Sequence, residues 1–241
     1  MSNIRYVVAS LPRSGTKYIS TVLTKIGLRC GHEQFFGLKR SEVRLTSVSE
    51  IFGDASWMSV PYIQSLPPGT IVFHQVRDPI KVLNSNLPSG GDSYFRTWDE
   101  NAGLSSDPFY KKELPWKRFI WNHTQDWVWP HGGGEVPEGK EEIQRLIHWW
   151  INWNLWIEFS SLKRSDLTYV RYRLEDLTSD ILYQMVQLIS ESSSSITIKD
   201  CEKAIAEVPS TTNRHRKPNS KITVDMLSPA ARLLMYRYGY L

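Results

Sequence analysis

The sequence predicts an α/β protein, a three-layer α/β/α arrangement around a mostly parallel sheet. Three observations carry that prediction. Short apolar runs, each of strand length, occur at Tyr6–Ser10, Ile71–Val76 and Leu167–Arg173. Each run passes into a turn-forming or polar segment, and a segment of helical periodicity follows. Strands alternating with helices in this way require crossover connections and so favour parallel pairing.

The elements follow in chain order. Tyr6–Ser10 reads as a buried strand and runs into the loop Leu11-Pro12-Arg13-Ser14-Gly15-Thr16. A helix follows, with Ile19, Val22, Leu23 and Ile26 on one face and Gly27 as its stop. The strand Ile71–Val76 enters Arg77-Asp78-Pro79, and a helix starts at Ile80. Residues Glu141–Leu162 form a long helix, with Ile143, Leu146, Ile147, Trp150, Trp153 and Ile157 at helical spacing. The third strand, Leu167–Arg173, precedes Glu175-Asp176-Leu177 and a helix over Ser179–Ser190. Helices over Asp200–Glu207 and Thr223–Tyr236 end the chain, the latter with Pro229 near the start of its last part. There is no internal repeat. Ser192–Ser195 reads as a solvated linker.

With 241 residues, 41% of them hydrophobic, the chain has enough apolar surface for a full core, and it reads as one domain, residues 1–241. Within it, residues 89–137 stand apart: they are rich in Gly and Pro and hold Trp98, Trp116, Trp121, Trp127 and Trp129. So long a connection is either a lid or substrate wall, or an irregular subdomain packed over the sheet. Cys30 and Cys201 make neither a zinc spacing nor a disulfide framework. No run of apolar residues is long enough to span a membrane, and the N-terminus lacks a signal peptide's apolar region. These features predict a soluble, cytoplasmic protein.

The net charge of +4 is too small to indicate a nucleic-acid partner. Its distribution is informative. Residues 1–32 hold Arg5, Arg13, Lys17, Lys25 and Arg29 and no carboxylate, and residues 208–224 hold Arg214, Arg216, Lys217 and Lys221, again with none. Acid-free stretches at the two ends suit two local anion sites. In the first, a loop enters a helix and offers unpaired backbone N–H groups at the positive end of the helix dipole. Arg13, Ser14, Gly15, Thr16 and Lys17 add two cations, two hydroxyls and a glycine for close approach. The spacing is not that of a Walker A loop, because no Gly-Lys-[Ser/Thr] is present.

Pro12–Thr16 resembles the first motif of the sulfotransferases that use 3′-phosphoadenosine 5′-phosphosulfate (PAPS), a Pro-[Lys/Arg]-Ser-Gly-Thr loop after the first strand. The resemblance implies a P-loop-NTPase-like fold, PAPS as co-substrate and no metal. It assigns Arg13 to the transferring sulfuryl group, the rest of the loop through Lys17 to the phosphosulfate, and Tyr18 to the adenine. Arg77-Asp78-Pro79, with Ser85 eight residues after the arginine, is similar to the family's 3′-phosphate motif. Asn213–Lys217 resembles its late basic loop, which implies that Arg214, Arg216 and Lys217 also meet the nucleotide. Tyr172-Arg173-Leu174-Glu175-Asp176-Leu177 is similar to a Tyr-Glu-Asp-Leu segment. It departs from it in having Leu174 before Glu175, and the resemblance puts Tyr172, two residues earlier, near the adenine.

Sulfuryl transfer to a hydroxyl or amine requires a base for the acceptor's proton. Several branches of the family place a glutamate after the first helix, and Glu33 occupies that region here, with His32 beside it as the competing candidate. In an extended segment, neighbours point to opposite faces, so one of the two faces the cleft. As the first carboxylate after five cations, Glu33 is expected among charges that favour its ionised form. The acceptor implied is a small molecule or carbohydrate, which exposed tryptophans would suit. The alternatives are a nucleotide kinase or other P-loop phosphotransferase, or a non-catalytic nucleotide-binding domain.

Overall fold

The computed structural model describes residues 4–36, 52–87, 140–190, 195–210 and 222–241. The Trp-rich segment 89–137, most of the Ser192–Ser195 linker and the cluster containing Arg214, Arg216 and Lys217 lie outside the described residues. The chain divides into two compact units, one formed by residues 1–37, 43–77 and 156–215, the other by 38–42, 78–155 and 216–241.

The first unit holds a sheet whose strands are β1 (Tyr6–Ala9), β2 (Cys30–His32), β3 (Gly53–Ala55), β4 (Ile71–Val76) and β5 (Thr168–Arg173), in the order β2-β3-β1-β4-β5. Every pairing is parallel. The central strands are buried on both faces, which explains why β1 and β4 read as continuous apolar runs rather than as alternating ones. On one face Tyr6, Val8, Ala55, Ile71, Phe73 and Tyr172 pack against three helices: α1 (Thr16–Lys25), α4 (Ser179–Ser190) and α5 (Ile198–Glu207). The other face meets a 3₁₀ segment, Trp57–Ser65, and the last turns of the long helix α3 (Lys140–Leu162). There Arg171 pairs with the buried Glu158 at 2.6 Å, and Gln64 donates to the Ser160 carbonyl at 2.7 Å. This is the expected α/β three-layer fold.

Local chemistry sets the element ends. Gly27 takes φ 92° and closes α1, with the Gly27 and Leu28 N–H groups returning to the carbonyls of Thr24 and Leu23. Thr197 and Asp200 form a reciprocal capping box that starts α5. Two strands were not anticipated. β2 and β3 are three residues each, Cys-Gly-His and Gly-Asp-Ala, too short and too polar to show an apolar strand pattern.

The second unit contains α2 (Pro79–Asn86), α3 up to Leu155 and α6 (Pro229–Arg237). Trp149 and Trp153 are fully buried and meet edge to face at 5.5 Å, and Trp150 meets Tyr238 at 6.2 Å, so these tryptophans are core. Asn84 binds the backbone of Ile222 twice, donating to its carbonyl and accepting from its N–H, both at 2.8 Å. The C-terminal helix is shorter than its sequence pattern. Val224–Met226 is a 3₁₀ turn, and Ser228 with Pro229 restarts the chain as α6.

Candidate functional site

Because all five strands are parallel, the segments leaving their C-terminal ends lie along one edge of the sheet. Between β1 and β4 the chain diverges: β1 leads to β2 on one side, and β4 leads towards β5 on the other. Such a switch point opens the crevice where ligands bind in open α/β sheets. The loop Leu11–Gly15 leaves β1 at this point, and Arg77 leaves β4.

The loop is bent by two left-handed residues, Arg13 (φ 70°) and Gly15 (φ 92°). Gly15 is required twice over, since a Cβ there would also fall 2.6 Å from a Leu174 methyl. Donors from β4 and its end hold the two carbonyls of the bend. Arg77 Nη1 donates to the Arg13 carbonyl and Gln75 Nε2 to the Ser14 carbonyl, both at 2.7 Å. Tyr172, on β5, donates its hydroxyl to Gln75 Oε1 and so orients the amide. Alternating backbone hands with the carbonyls tied back are the geometry from which anion-binding backbone concavities are built. Next to it, the N-terminus of α1 has no side-chain cap, whereas Asp78, Thr197 and Ser228 cap α2, α5 and α6. Thr16 and Ser14 are buried here and Lys17 is exposed.

The two candidate bases lie at the end of β2, His32 as its last residue and Glu33 just after it. Contrary to the alternation expected of an extended segment, they do not diverge: His32 Nε2 and Glu33 Oε1 are 3.8 Å apart. The reason is the backbone, because β2 ends at His32 and Glu33 turns into the left-handed region at φ 54°. His32 Nε2 also shares a 3.1 Å hydrogen bond with Thr16 Oγ1 on α1. Burial, followed by the nearby Lys17 cation, lowers the His32 pKa, which keeps the ring neutral at pH 7.

Glu33 corrects a second expectation. Its surroundings do not favour the ionised form. Burial, reinforced by the carboxylate of Asp54 and opposed by a hydrogen bond from Trp57, pushes its pKa up to about 7. Asp54 on β3 was not anticipated from sequence. Fully buried, it accepts the N–H groups of Gln34 at 3.2 Å and of Phe35 and Phe36 at 3.1 Å.

The remaining assignments fall as follows. Tyr172 is buried in the sheet core with its hydroxyl on Gln75 and so supports the loop; Leu174, in the 3₁₀ turn after β5, packs on Gly15. Tyr18 lies in the first turn of α1, half-buried against the core, with its pKa raised by burial. Ser85 is half-buried in α2 of the second unit. His74, the strand histidine, is fully buried with Nδ1 2.9 Å from the Tyr169 hydroxyl. No protein-family model matches the chain, and no curated protein matches it by sequence.

Proposed function

We propose that this protein transfers the sulfuryl group of PAPS to a hydroxyl or amine of a small-molecule or carbohydrate acceptor. The observation that carries the reading is a pairing along one sheet edge. An anion-binding bend at the uncapped N-terminus of α1 follows β1, and after β2 comes a carboxyl whose pKa is about 7. The first group suits the phosphosulfate; the second suits a base that works at neutral pH.

In this reading the N–H groups of residues 15–17 and the hydroxyls of Ser14 and Thr16 hold the phosphosulfate, while the Ser14 N–H closes the loop on the Leu11 carbonyl. Arg13 balances the charge that grows on the bridging oxygen. Arg77 keeps the loop in shape through the Arg13 carbonyl, and the motif it belongs to assigns its guanidinium to the 3′-phosphate. The acceptor oxygen forms a bond to sulfur as the bond from sulfur to the bridging oxygen breaks. The acceptor's proton passes to Glu33, and adenosine 3′,5′-bisphosphate leaves. His32 is the weaker candidate for base, because its Nε2 is engaged by Thr16.

The test is a calorimetric titration with adenosine 3′,5′-bisphosphate, with ATP–Mg²⁺ alongside, followed by PAPS turnover on a panel of phenols and sugars. Bisphosphate binding that Arg77→Ala weakens by about tenfold or more supports the reading. Tighter binding of ATP–Mg²⁺, or no bisphosphate binding, refutes it in favour of a phosphotransferase or another ligand. Bisphosphate binding with no turnover on any acceptor would favour a non-catalytic nucleotide-binding domain.

A further inference from the structure

We propose that Asp54 is a positioning residue for the acceptor-activating carboxyl: its side chain builds the turn that presents Glu33 and sets the charge against which Glu33 works. The inference rests on the reading of Glu33 as base. Its own basis is geometric. The three residues after Glu33 all direct their backbone N–H groups to one buried carboxylate, Gln34 to Oδ1 and Phe35 and Phe36 to Oδ2. The turn's N–H groups are therefore gathered on Asp54. Glu33 N–H donates to the Ala55 carbonyl at 3.3 Å, which ties the start of the turn to the same strand.

The fit depends on Gly31. β2 and β3 run in parallel with Gly31 opposite Asp54, and any Cβ at Gly31 would stand 2.6 Å from Asp54 Oδ1. A glycine in the middle of a three-residue strand weakens pairing and offers no packing. Its presence is explained by the space that the carboxylate needs. Held this way, Glu33 adopts φ 54°, a conformation that costs an L-residue energy and persists only where the surroundings impose it.

Electrostatics make the arrangement more than a brace. Among the described residues, His32 on the same turn and Asp54 on β3 are the ionisable groups that bear on Glu33, and Lys17 on α1 bears on His32. His32 is neutral at pH 7 and Lys17 bears on it from α1, so the group that acts most directly against ionisation of Glu33, after burial itself, is Asp54. Removing the Asp54 charge while keeping its shape should make Glu33 a weaker base.

The decisive measurement is the pH titration of the Glu33 carboxyl by carbon-13 NMR in the full-length protein, its signal identified by its loss in Glu33→Gln. Asp54→Asn should move the Glu33 midpoint down by about one pH unit. The amides of residues 34–36 should lose hydrogen-exchange protection, while affinity for adenosine 3′,5′-bisphosphate stays within about twofold. Gly31→Ala, which pushes the carboxylate aside, should move the midpoint in the same direction and serves if Asp54→Asn does not fold. An unmoved Glu33 midpoint in the folded variant overturns the proposal, because a purely structural role would cost stability without changing that titration. Full PAPS turnover by Glu33→Gln would instead overturn the reading of Glu33 as base, and the NMR titration would still decide the part played by Asp54.

Discussion

Glu33→Gln should stabilise the protein, and by an amount that depends on pH. In the unfolded chain the carboxyl titrates near its ordinary 4.5; in the fold it titrates near 7. Below pH 4.5 the group is neutral in both states and costs nothing. As pH rises from 4.5 to 7 the unfolded chain releases the proton and the folded chain retains it, so stability falls with pH. Above 7 both are ionised and the full penalty stands. At about 1.4 kcal/mol per pH unit the ceiling is about 3 kcal/mol. The side chain is 25% exposed, and solvent screening brings the expectation to about 2 kcal/mol. Glutamine keeps the shape and has no charge to bury. Urea unfolding of the two proteins at about pH 4 and about pH 8 reads the effect directly: near equality at the acid value, and the variant more stable by about 2 kcal/mol at the alkaline one. A gain of the same size at both values, or a loss at the higher one, would refute the argument that charge burial dominates at Glu33.

Other consequences can be measured with the same tools. Gly15→Ala should lose about 1–2 kcal/mol of stability from its left-handed backbone alone and bind adenosine 3′,5′-bisphosphate more weakly. Adding Leu174→Ala should relieve the methyl clash but not the backbone cost, so urea unfolding of the double variant should show only partial coupling. Tyr172→Phe leaves the Gln75 amide without its orienting hydroxyl and should cost about 1–3 kcal/mol together with nucleotide affinity, read by thermal shift and calorimetry. Thr197→Ala removes one half of a capping box on α5 and should cost about 1 kcal/mol in urea unfolding while leaving nucleotide affinity unchanged.

Wherever a long element buries a periodic apolar face, the sequence was legible. α1, β4 and α4 stand within a residue of their expected bounds, because burial and helical period leave a one-dimensional trace. So does the loop after β1, which needs a glycine and hydroxyls in a fixed order. What was not legible depends on residues brought together from separate strands. Asp54 lies in a three-residue strand whose composition suggests a turn, and its importance appears only once the amides of residues 34–36 surround it. The Glu33 environment was misjudged for a related reason. Counting cations along the chain weights neighbours in sequence, whereas its pKa follows from burial and a carboxylate that lies 21 residues away in sequence. The motif points Tyr172 towards the nucleotide, and nothing in the sequence shows that its hydroxyl binds Gln75. A Gly-His-Glu segment followed by a Gly-Asp strand is the one sequence signal that could have found the pair.

The Gln75–Tyr172 hydrogen bond joins residues 97 positions apart, and the site leans on it. Its consequence concerns the order of events as the chain is made. The loop at residues 12–17 is synthesised early and carries its own bend, yet the amide that secures its Ser14 carbonyl is aligned only when β5 joins the sheet. Until then β4, a run of six fully buried residues, has an open edge. Ligand-binding competence should therefore appear late in refolding, after most helical signal has returned. A nascent chain halted before Thr168 should display the motif without being able to use it.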